Sequence, residues 1–281
     1  MIRTRFAPSP TGRLHLGHAF SVIQAHDFAR ERGGDFLLRI EDIDGTRSRP
    51  EHVETILRDL EWLGLGWDGE VVFQSQRLPR YQAALDRLAA QGLLYPCFCT
   101  RADIAESTSA PHGPEGPLYP GTCRGLMAPD LSRPHCWRLD VAKALHRIDG
   151  NPLVFTDSRH GVIEADPAQH GDVVLARKDA PASYHLAVTV DDAAQGITDI
   201  VRGEDLFAAT HIHRLLQALL DLPVPRYHHH ELLTDANGQR LAKRHGAPTL
   251  AALREAGEDG QALADALRRG QLPVGFVAAK A

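Results

Sequence analysis

The segment from residue 6 to residue 18, FAPSPTGRLHLGH, constrains the fold of this chain more than any other part of the sequence. It follows a short strand-like run, and its two prolines and one glycine predict a tight turn before a helix. His15 and His18 are three residues apart and therefore share a face of the first helical turn. The start of a helix offers unpaired N–H groups and a positive dipole end, which favour phosphate. Gly17 between the histidines leaves a flat surface that a base can approach, so the segment predicts a nucleotide site.

The segments around this motif alternate between strand and helix patterns. Residues 3–6 are predicted to form a short strand that Pro8 and Pro10 stop, and residues 36–40 are an apolar run, interrupted only by Arg39, that is long enough for a buried strand. Pro50 opens an amphipathic helix that ends before Gly64. Strand, helix, strand and helix in succession indicate an α/β fold with a Rossmann-type parallel sheet. Further along the chain we expect a helix at 78–91, strands at 172–176 and 186–190, a helix at 208–220 and a helical tail after Thr249.

The bulk composition argues against several classes of protein. No stretch approaches 18 uninterrupted apolar residues, and the N-terminus lacks the apolar core of a signal peptide, so we expect a cytoplasmic protein without a membrane partner. The net charge of −5 gives no overall attraction to nucleic acid. An RNA partner would therefore have to bind a local basic surface. We expect the protein to be a monomer.

An acidic segment follows the predicted strand at 36–40. Parallel sheets bind ligands at the carboxyl ends of their strands, so a carboxylate at this position can hold a substrate ammonium group. We assign that contact to Glu41, and we expect Asp42 and Asp44 to cap turns or form ion pairs. Arg39 and Arg47 are expected to balance the remaining negative charge.

Three of the four cysteines lie between residues 97 and 123, at the two ends of a segment rich in Ser, Pro and Gly. In a reducing compartment this grouping indicates a metal site rather than a disulfide scaffold. Zinc stabilises small segments that lack a core, usually through four ligands with cysteine prominent. The candidate ligands are Cys97, Cys99 and Cys123, with Tyr119, His112 or Cys136 as the fourth. Inert cysteines without a metal are the alternative.

Two other histidine groups receive no metal assignment. Residues 228–230 are three consecutive histidines, and consecutive side chains in a loop rarely converge on one ion. We interpret them as a polar connection. His211 and His213 flank an apolar helix face and are interpreted as surface or packing residues.

The segment at 6–18 resembles the HIGH motif of the class I aminoacyl-tRNA synthetases, in the form found in the glutamyl and glutaminyl branch. The resemblance runs from about residue 3 to residue 250. It implies that His15 and His18 are catalytic and stabilise the triphosphate of ATP, which enters with Mg²⁺ as a substrate, while the amino-acid carboxylate attacks the α-phosphorus. Catalysis of this kind depends on positioning and charge stabilisation.

The basic residues 240–244 follow a predicted turn and resemble the KMSKS loop of the same family. The resemblance implies that Lys243 is catalytic and neutralises the leaving pyrophosphate, and Ala242 replaces the usual serine of this loop. The residues implied to bind ATP are Pro8, His15, Gly17, His18, Arg240 and Lys243. The residues implied to surround glutamate are Arg5, Ala7, Ser9, Glu41, Tyr184 and Arg202. A dicarboxylic substrate requires arginine, since guanidinium groups select carboxylate geometry.

The cysteine pattern is similar to that of the short glutamyl-Q tRNA(Asp) synthetases. That resemblance implies a structural Zn²⁺ held by Cys97, Cys99, Tyr119 and Cys123. It also implies activation of L-glutamate to glutamyl-adenylate, followed by transfer to queuosine in the anticodon loop of tRNA(Asp). About 37 residues follow the basic loop, so we expect no anticodon-binding domain.

Three alternatives for the function remain. They are a truncated glutamyl-tRNA synthetase that charges the 3′ end of tRNA(Glu), a glutamate ligase with a small-molecule acceptor, and an RNA-binding paralogue with an inactive site.

The domain organisation expected from the resemblance has four parts. Residues 1–92 form the first half of the Rossmann catalytic domain, 93–135 the zinc-binding insertion, 136–235 an acceptor-like insertion with the second half of the Rossmann domain, and 236–281 the basic KMSKS-like loop with C-terminal helices.

Overall fold

The computed structural model describes residues 1–105, 112–114, 116–148, 152–235, 248–271 and 276–278. The α-helices in these ranges are α1 (Leu16–Arg30), α2 (Pro50–Trp62), α3 (Leu78–Ala90), α4 (Arg101–Ala105), α5 (Val141–Arg147), α6 (Tyr184–Ala194), α7 (Ala209–Leu219), α8 (Leu250–Glu255) and α9 (Gly260–Arg268). The strands are β1 (Arg3–Phe6), β2 (Asp35–Ile40), β3 (Val72–Phe73), β4 (Leu94–Cys97), β5 (His112–Gly113), β6 (Gly116–Pro117), β7 (Cys136–Leu139), β8 (Val154–Asp157), β9 (Gly161–Glu164), β10 (Val174–Ala176), β11 (Asp199–Gly203), β12 (Arg226–His230), β13 (Leu233–Asp235) and β14 (Phe276–Ala278). Short 3₁₀ helices span Gln74–Gln76, Pro167–His170 and Glu204–Leu206.

The first strand–helix–strand unit confirms the predicted Rossmann-type arrangement. Strands β1 and β2 pair in parallel, with Arg3 opposite Asp35 and Phe6 opposite Leu38. Helix α1 connects them, and apolar residues on its inner face, such as Leu16, Val22 and Ile23, are buried. This unit directs the turn after β1 and the start of α1 toward the carboxyl ends of the strands.

Two parallel groups of strands meet beside β1. One group has the order β1-β2-β3, and the other has the order β11-β12-β8-β9. Strands β11, β12 and β8 are parallel, whereas β9 is antiparallel to β8. The N–H of Thr198, just before β11, donates to the carbonyl oxygen of Arg3 at 3.0 Å, which joins the two groups. The residues that end β1, β2 and β11 therefore lie near one another, as ligand sites in open α/β sheets require.

The segment after β3 builds a separate antiparallel sheet in the order β10-β7-β4. Strands β4 and β7 pair with Cys97 opposite Cys136. Tyr95, Cys97, Tyr119, Cys123 and Cys136 form a small buried cluster at one end of this sheet. The cluster contains few aliphatic side chains, which agrees with the expectation that this part of the chain is not held by a large apolar core.

Two local sequence interpretations are wrong. Residues 186–190 lie within helix α6 rather than a strand, because Ser183 caps the helix and both faces of the segment are buried, which removes the helical period from the apolar pattern. Residues 228–230 are not a loop but the last three positions of strand β12.

The tail after Thr249 is helical as expected, and β14 additionally pairs antiparallel with β13. Within the described ranges, no helix is both long and apolar enough to cross a membrane.

We expect Gly34→Ala to destabilise the fold because β1 and β2 approach each other closely at this residue. The N–H of Asp35 donates to the Ile2 carbonyl oxygen at 2.9 Å, and a Cβ added at Gly34 would collide with that oxygen and lie 2.8 Å from Ile2 Cβ. The expected loss is about 1–3 kcal/mol in the free energy of unfolding, measured by urea titration.

Gly66→Ala is the matched control, since a Cβ at that position has no neighbour within 4 Å. Its free energy of unfolding should change by no more than about 0.5 kcal/mol. Equal effects in the two variants would contradict the steric explanation.

Candidate active site

His15 and His18 build the start of helix α1 together. His15 is the N-cap residue, and its Nδ1 accepts the N–H of Gly17 at 3.1 Å, while Nδ1 of His18 accepts the N–H of His15 at 3.1 Å. The two ring centroids are 3.9 Å apart. A ring nitrogen that accepts a backbone N–H carries no proton, so each neutral imidazole bears its proton on Nε2. The helix start therefore presents two imidazole rings of the same tautomer beside each other.

A side chain at Gly17 would crowd the capping ring of His15. A Cβ there would lie 3.0 Å from Cε1 and 3.2 Å from Nδ1 of His15, so the ring would have to shift slightly. The sequence suggested that Gly17 leaves room for a base, and the structure adds that it leaves room for His15.

A cavity of about 390 Å³ lies at the carboxyl ends of β1, β2 and β11. It is lined by every described residue that the sequence assigned to ATP or glutamate: Arg5, Ala7, Pro8, Ser9, His15, Gly17, His18, Glu41, Tyr184 and Arg202. Residues separated by almost 200 positions in the chain thus share one space. The sequence did not anticipate that Thr11, Asp205, His230 and Glu231 also line it.

A buried network of opposite charges lies beneath this cavity. Asp192 Oδ1 accepts from Nε of Arg5 at 3.0 Å and from Nη1 of Arg39 at 2.8 Å. Glu41 Oε1 lies 3.3 Å from Nη2 of Arg39. Burial alone would raise the pKa of Asp192, but the charges of Arg5 and Arg39 outweigh it and lower that pKa. Burial raises the pKa of Glu41, and the two arginines offset only part of the rise.

Arg39 and Arg47 both balance charge in the acidic segment, as the sequence suggested: Arg39 lies beside Glu41, and Arg47 pairs with Asp44. Nε of Arg47 binds Oδ2 of Asp44 at 2.7 Å, and Nη1 of Arg177 approaches the same oxygen at 3.4 Å. Asp42 accepts hydrogen bonds from the backbone N–H and the hydroxyl of Ser75. Asp42 and Asp44 therefore have the structural roles expected for them, which leaves Glu41 as the carboxylate of this segment that reaches the cavity.

Arg202 is buried, and its hydrogen-bond acceptors carry no formal charge. Nη2 donates to the Leu206 carbonyl oxygen at 3.0 Å and to the Thr210 hydroxyl at 2.7 Å. Nε donates to Nε2 of His229 at 3.1 Å, and Nη1 is 3.3 Å from the Tyr184 hydroxyl. Within the described part of the chain, no carboxylate forms an ion pair with Arg202, in contrast to Arg5 and Arg39. A buried cation of this kind favours an anionic ligand.

The cysteines that bracket the insertion converge. The sulfur atoms of Cys97, Cys99 and Cys123 lie within 4.8 Å of one another, close enough to bind one metal ion. The hydroxyl oxygen of Tyr119 is 3.6 Å from Cys99 Sγ and accepts the Cys123 N–H at 2.8 Å. This set of donors fits a four-ligand zinc site.

Cys136 is oriented differently from the other three cysteines. Its thiol donates to the carbonyl oxygen of Cys97 at 3.5 Å, across the β4–β7 pair. The sulfurs of Cys99 and Cys123 are 3.6 Å apart, and the Tyr119 hydroxyl lies beside them. Burial raises the pKa of the Tyr119 phenol, so a phenolate at this position requires a nearby cation. The Tyr119 hydroxyl thus lies beside Cys99, and its assignment as the fourth ligand remains a prediction, while the side chain of His112 lies outside the described residues.

Several predicted residues lie outside the described ranges. Arg240, Ala242 and Lys243 belong to residues 236–247, so their assignment to ATP remains a prediction.

His211 and His213 are both buried, and burial together with the charge of Arg202 holds the pKa of His213 well below its usual value. Of the two roles expected for these histidines, surface or packing, the structure therefore confirms packing.

Comparisons with known proteins agree with this geometry. The family model described as "tRNA synthetases class I (E and Q), catalytic domain" matches residues 1–276. The chain is 51% identical over 274 residues to glutamyl-Q tRNA(Asp) synthetase of Rhodobacter capsulatus, covering 90% of this chain and 95% of that protein. It is 48% identical over 254 residues to glutamyl-Q tRNA(Asp) synthetase of Nocardia farcinica, covering 90% of this chain and 79% of that protein.

Among solved structures, glutamate-tRNA synthetase from Elizabethkingia anophelis superposes with a TM-score of 0.76 at 26% identity. The match covers 95% of this chain but only 61% of that enzyme, so the present chain spans about three fifths of its length. The matched region contains the strands and helices that surround the cavity.

Proposed function

Because the chain belongs to the class I tRNA synthetases of the E and Q type, we propose that it activates L-glutamate with ATP and transfers it to queuosine in tRNA(Asp). The family makes the chain a ligase. The central observation for glutamate is that Arg5, Glu41, Tyr184 and Arg202 line one cavity with His15 and His18.

The charges around the cavity suit a dicarboxylic amino acid. In the proposed complex, Arg202 binds a substrate carboxylate through Nη1, with the Tyr184 hydroxyl beside it. Glu41 binds the ammonium group, which compensates for the cost of burying its own carboxylate. Arg5 is held by Asp192 through Nε, and its terminal nitrogens remain available to the second carboxylate. Glutamine carries only one carboxylate and would leave one of the two arginines without an anionic partner.

The nucleotide binds at the start of α1 in this proposal. The helix N-terminus and the Nε2–H groups of His15 and His18 stabilise the charge that develops as the glutamate carboxylate attacks the α-phosphorus of ATP. Lys243 and Arg240 supply positive charge to the leaving pyrophosphate, and Mg²⁺ arrives bound to ATP. The products of this first step are glutamyl-adenylate and pyrophosphate.

The names of the relatives support tRNA(Asp) as the acceptor. A hydroxyl of the queuosine base would attack the acyl carbon of the adenylate, forming an ester and releasing AMP, so the cavity must receive a base of the anticodon loop. We place this reaction in the cytoplasm, where tRNA and ATP are present. A structural Zn²⁺ held by Cys97, Cys99, Tyr119 and Cys123 completes the proposal, and it would stabilise the β4–β7–β10 sheet without taking part in the reaction.

Transfer of labelled glutamate tests the acceptor. We expect label on queuosine-containing tRNA(Asp) and none on tRNA(Asp) that lacks queuosine, because the proposed nucleophile belongs to the modified base. Label on the 3′ end of tRNA(Glu) would instead support a truncated glutamyl-tRNA synthetase. Adenylate formation without label on any tRNA would favour a small-molecule acceptor.

Arg202→Ala tests the amino-acid site. Loss of a charge-assisted contact of about 3 kcal/mol should raise KM for glutamate about 100-fold in ATP–pyrophosphate exchange and change KM for ATP less than about threefold. Arg214→Ala is a suitable control, since Arg214 binds the Val154 carbonyl oxygen outside the cavity. An unchanged glutamate KM in folded Arg202→Ala protein would refute the assignment.

Metal analysis tests the zinc site. We expect about one Zn²⁺ per chain in the wild-type protein and in Cys136→Ala, and little in Cys99→Ala. Tyr119→Phe should bind zinc more weakly in a chelator competition, because it removes one donor atom. Retention of full affinity in Tyr119→Phe, together with loss of zinc from Cys136→Ala, would exchange the roles of these two residues.

A further inference from the structure

The three consecutive histidines of β12 have different surroundings. His229 is fully buried and contacts Asp157, at the end of β8, and Arg202, on β11. His228 points away from them and binds Asp199 at 2.9 Å, with its ring 4.3 Å from the ring of Phe28. His230 binds the Ser21 hydroxyl at 3.0 Å. Strand alternation thus places only the middle histidine against Arg202.

The hydrogen bonds of His229 determine its tautomer. Nδ1 lies 2.7 Å from Oδ2 of Asp157, and a carboxylate can only accept, so Nδ1 carries the proton. Burial and the charge of Arg202 lower the pKa of His229 to about 3, so the ring is neutral at physiological pH. Its Nε2 atom is then a bare acceptor, and it receives Nε–H of Arg202 at 3.1 Å.

Asp157 is itself fixed at the end of β8. Its Oδ1 accepts the backbone N–H groups of Arg159 at 2.8 Å and His160 at 3.0 Å, and its Oδ2 also accepts the N–H of His229. Because the carboxylate is held by the backbone, the imidazole cannot rotate without losing its donor contact. The backbone therefore holds Asp157, Asp157 holds the ring of His229, and His229 holds the guanidinium group of Arg202.

A neutral imidazole beside Arg202 leaves the positive charge of the guanidinium group available to a ligand, whereas a carboxylate would not. A carboxylate in contact with Arg202 would neutralise the guanidinium group and compete with an anionic ligand. In the Asp157–His229 pair, the imidazole ring separates the carboxylate of Asp157 from Arg202, and the pair contacts Arg202 through the uncharged Nε2 atom. His229 therefore holds Arg202 along its Nε edge. The Nη1 atom makes longer contacts, to the Tyr184 hydroxyl at 3.3 Å and to Nδ1 of His213 at 3.5 Å, and lies on the side of Tyr184, which lines the cavity.

We propose that Asp157 and His229 are positioning residues that orient Arg202 for the carboxylate of the amino-acid substrate and preserve its positive charge. The inference rests on the proposed function for the identity of that substrate, whereas the orientation of Arg202 follows from the contacts alone. Misplacing one guanidinium group by about 1 Å is sufficient to lower the efficiency of a site of this kind about 100-fold.

The kinetic test compares His229→Leu, His229→Gln and His228→Leu. His229→Leu should raise KM for glutamate about 30-fold in ATP–pyrophosphate exchange, with KM for ATP unchanged within about threefold. Gln offers an uncharged acceptor near the position of Nε2, so His229→Gln should recover most of the loss. His228→Leu removes the other Asp–His pair of the same strand and should leave both constants near wild type. An unchanged glutamate KM in His229→Leu, or an equal rise in His228→Leu, would overturn the proposal.

Nitrogen-15 NMR of the histidine rings provides a second measurement that does not depend on activity or on a folded variant. The wild-type protein should show a His229 ring with a proton on Nδ1 and none on Nε2 throughout neutral pH. The opposite tautomer, or a doubly protonated ring, would overturn the positioning role. A wild-type protein with this tautomer but without glutamate-dependent exchange would instead refute the proposed function and leave the orientation of Arg202 intact.

Discussion

Three arginines are buried around one cavity, and the way in which their charges are compensated determines the character of the site. Arg5 and Arg39 share the carboxylate of Asp192, and Arg39 also lies beside Glu41 and Asp191, so both arginines have carboxylate partners within the protein. Arg202 contacts a hydroxyl, a carbonyl, an imidazole and a phenol instead. A buried charge without a counterion is costly unless a ligand supplies one. This cost falls on Arg202, which lies near the ends of β1, β2 and β11.

The parallel topology makes this arrangement possible. Arg5, Glu41 and Arg202 come from the ends of β1, β2 and β11, which lie close together although the chain separates them widely. The sheet fixes their backbones, and the network around Asp192 fixes the side chains below the cavity. Helix α1 then adds the two histidines from the opposite side. These contacts position the charged groups before a ligand arrives, which is the condition for electrostatic stabilisation of a transition state.

Much of this arrangement could be predicted from local sequence patterns. The turn and helix at 6–18, the strand before Glu41 and the cysteine spacing each have short-range signals, and the residues assigned from them converge in the structure. Residues 186–190 were misinterpreted because an apolar run buried on all sides has no readable period. Asp192, Asp157 and His229 carry no local signal at all, since their importance arises from partners more than 70 residues away or from a neighbouring strand. A row of three histidines gives no indication of which one faces inward until the strand direction is known.

The reciprocal cap at the start of α1 restricts the acid–base behaviour of the two histidines. His15 and His18 each use Nδ1 to satisfy a backbone N–H, so neither ring can become an imidazolium ion without releasing part of the helix start. A polyphosphate would ordinarily favour the charged form of nearby imidazoles. Charging at Nδ1 would break the hydrogen bonds of the first helical turn, and the same bonds set the direction in which Nε2 of each ring points.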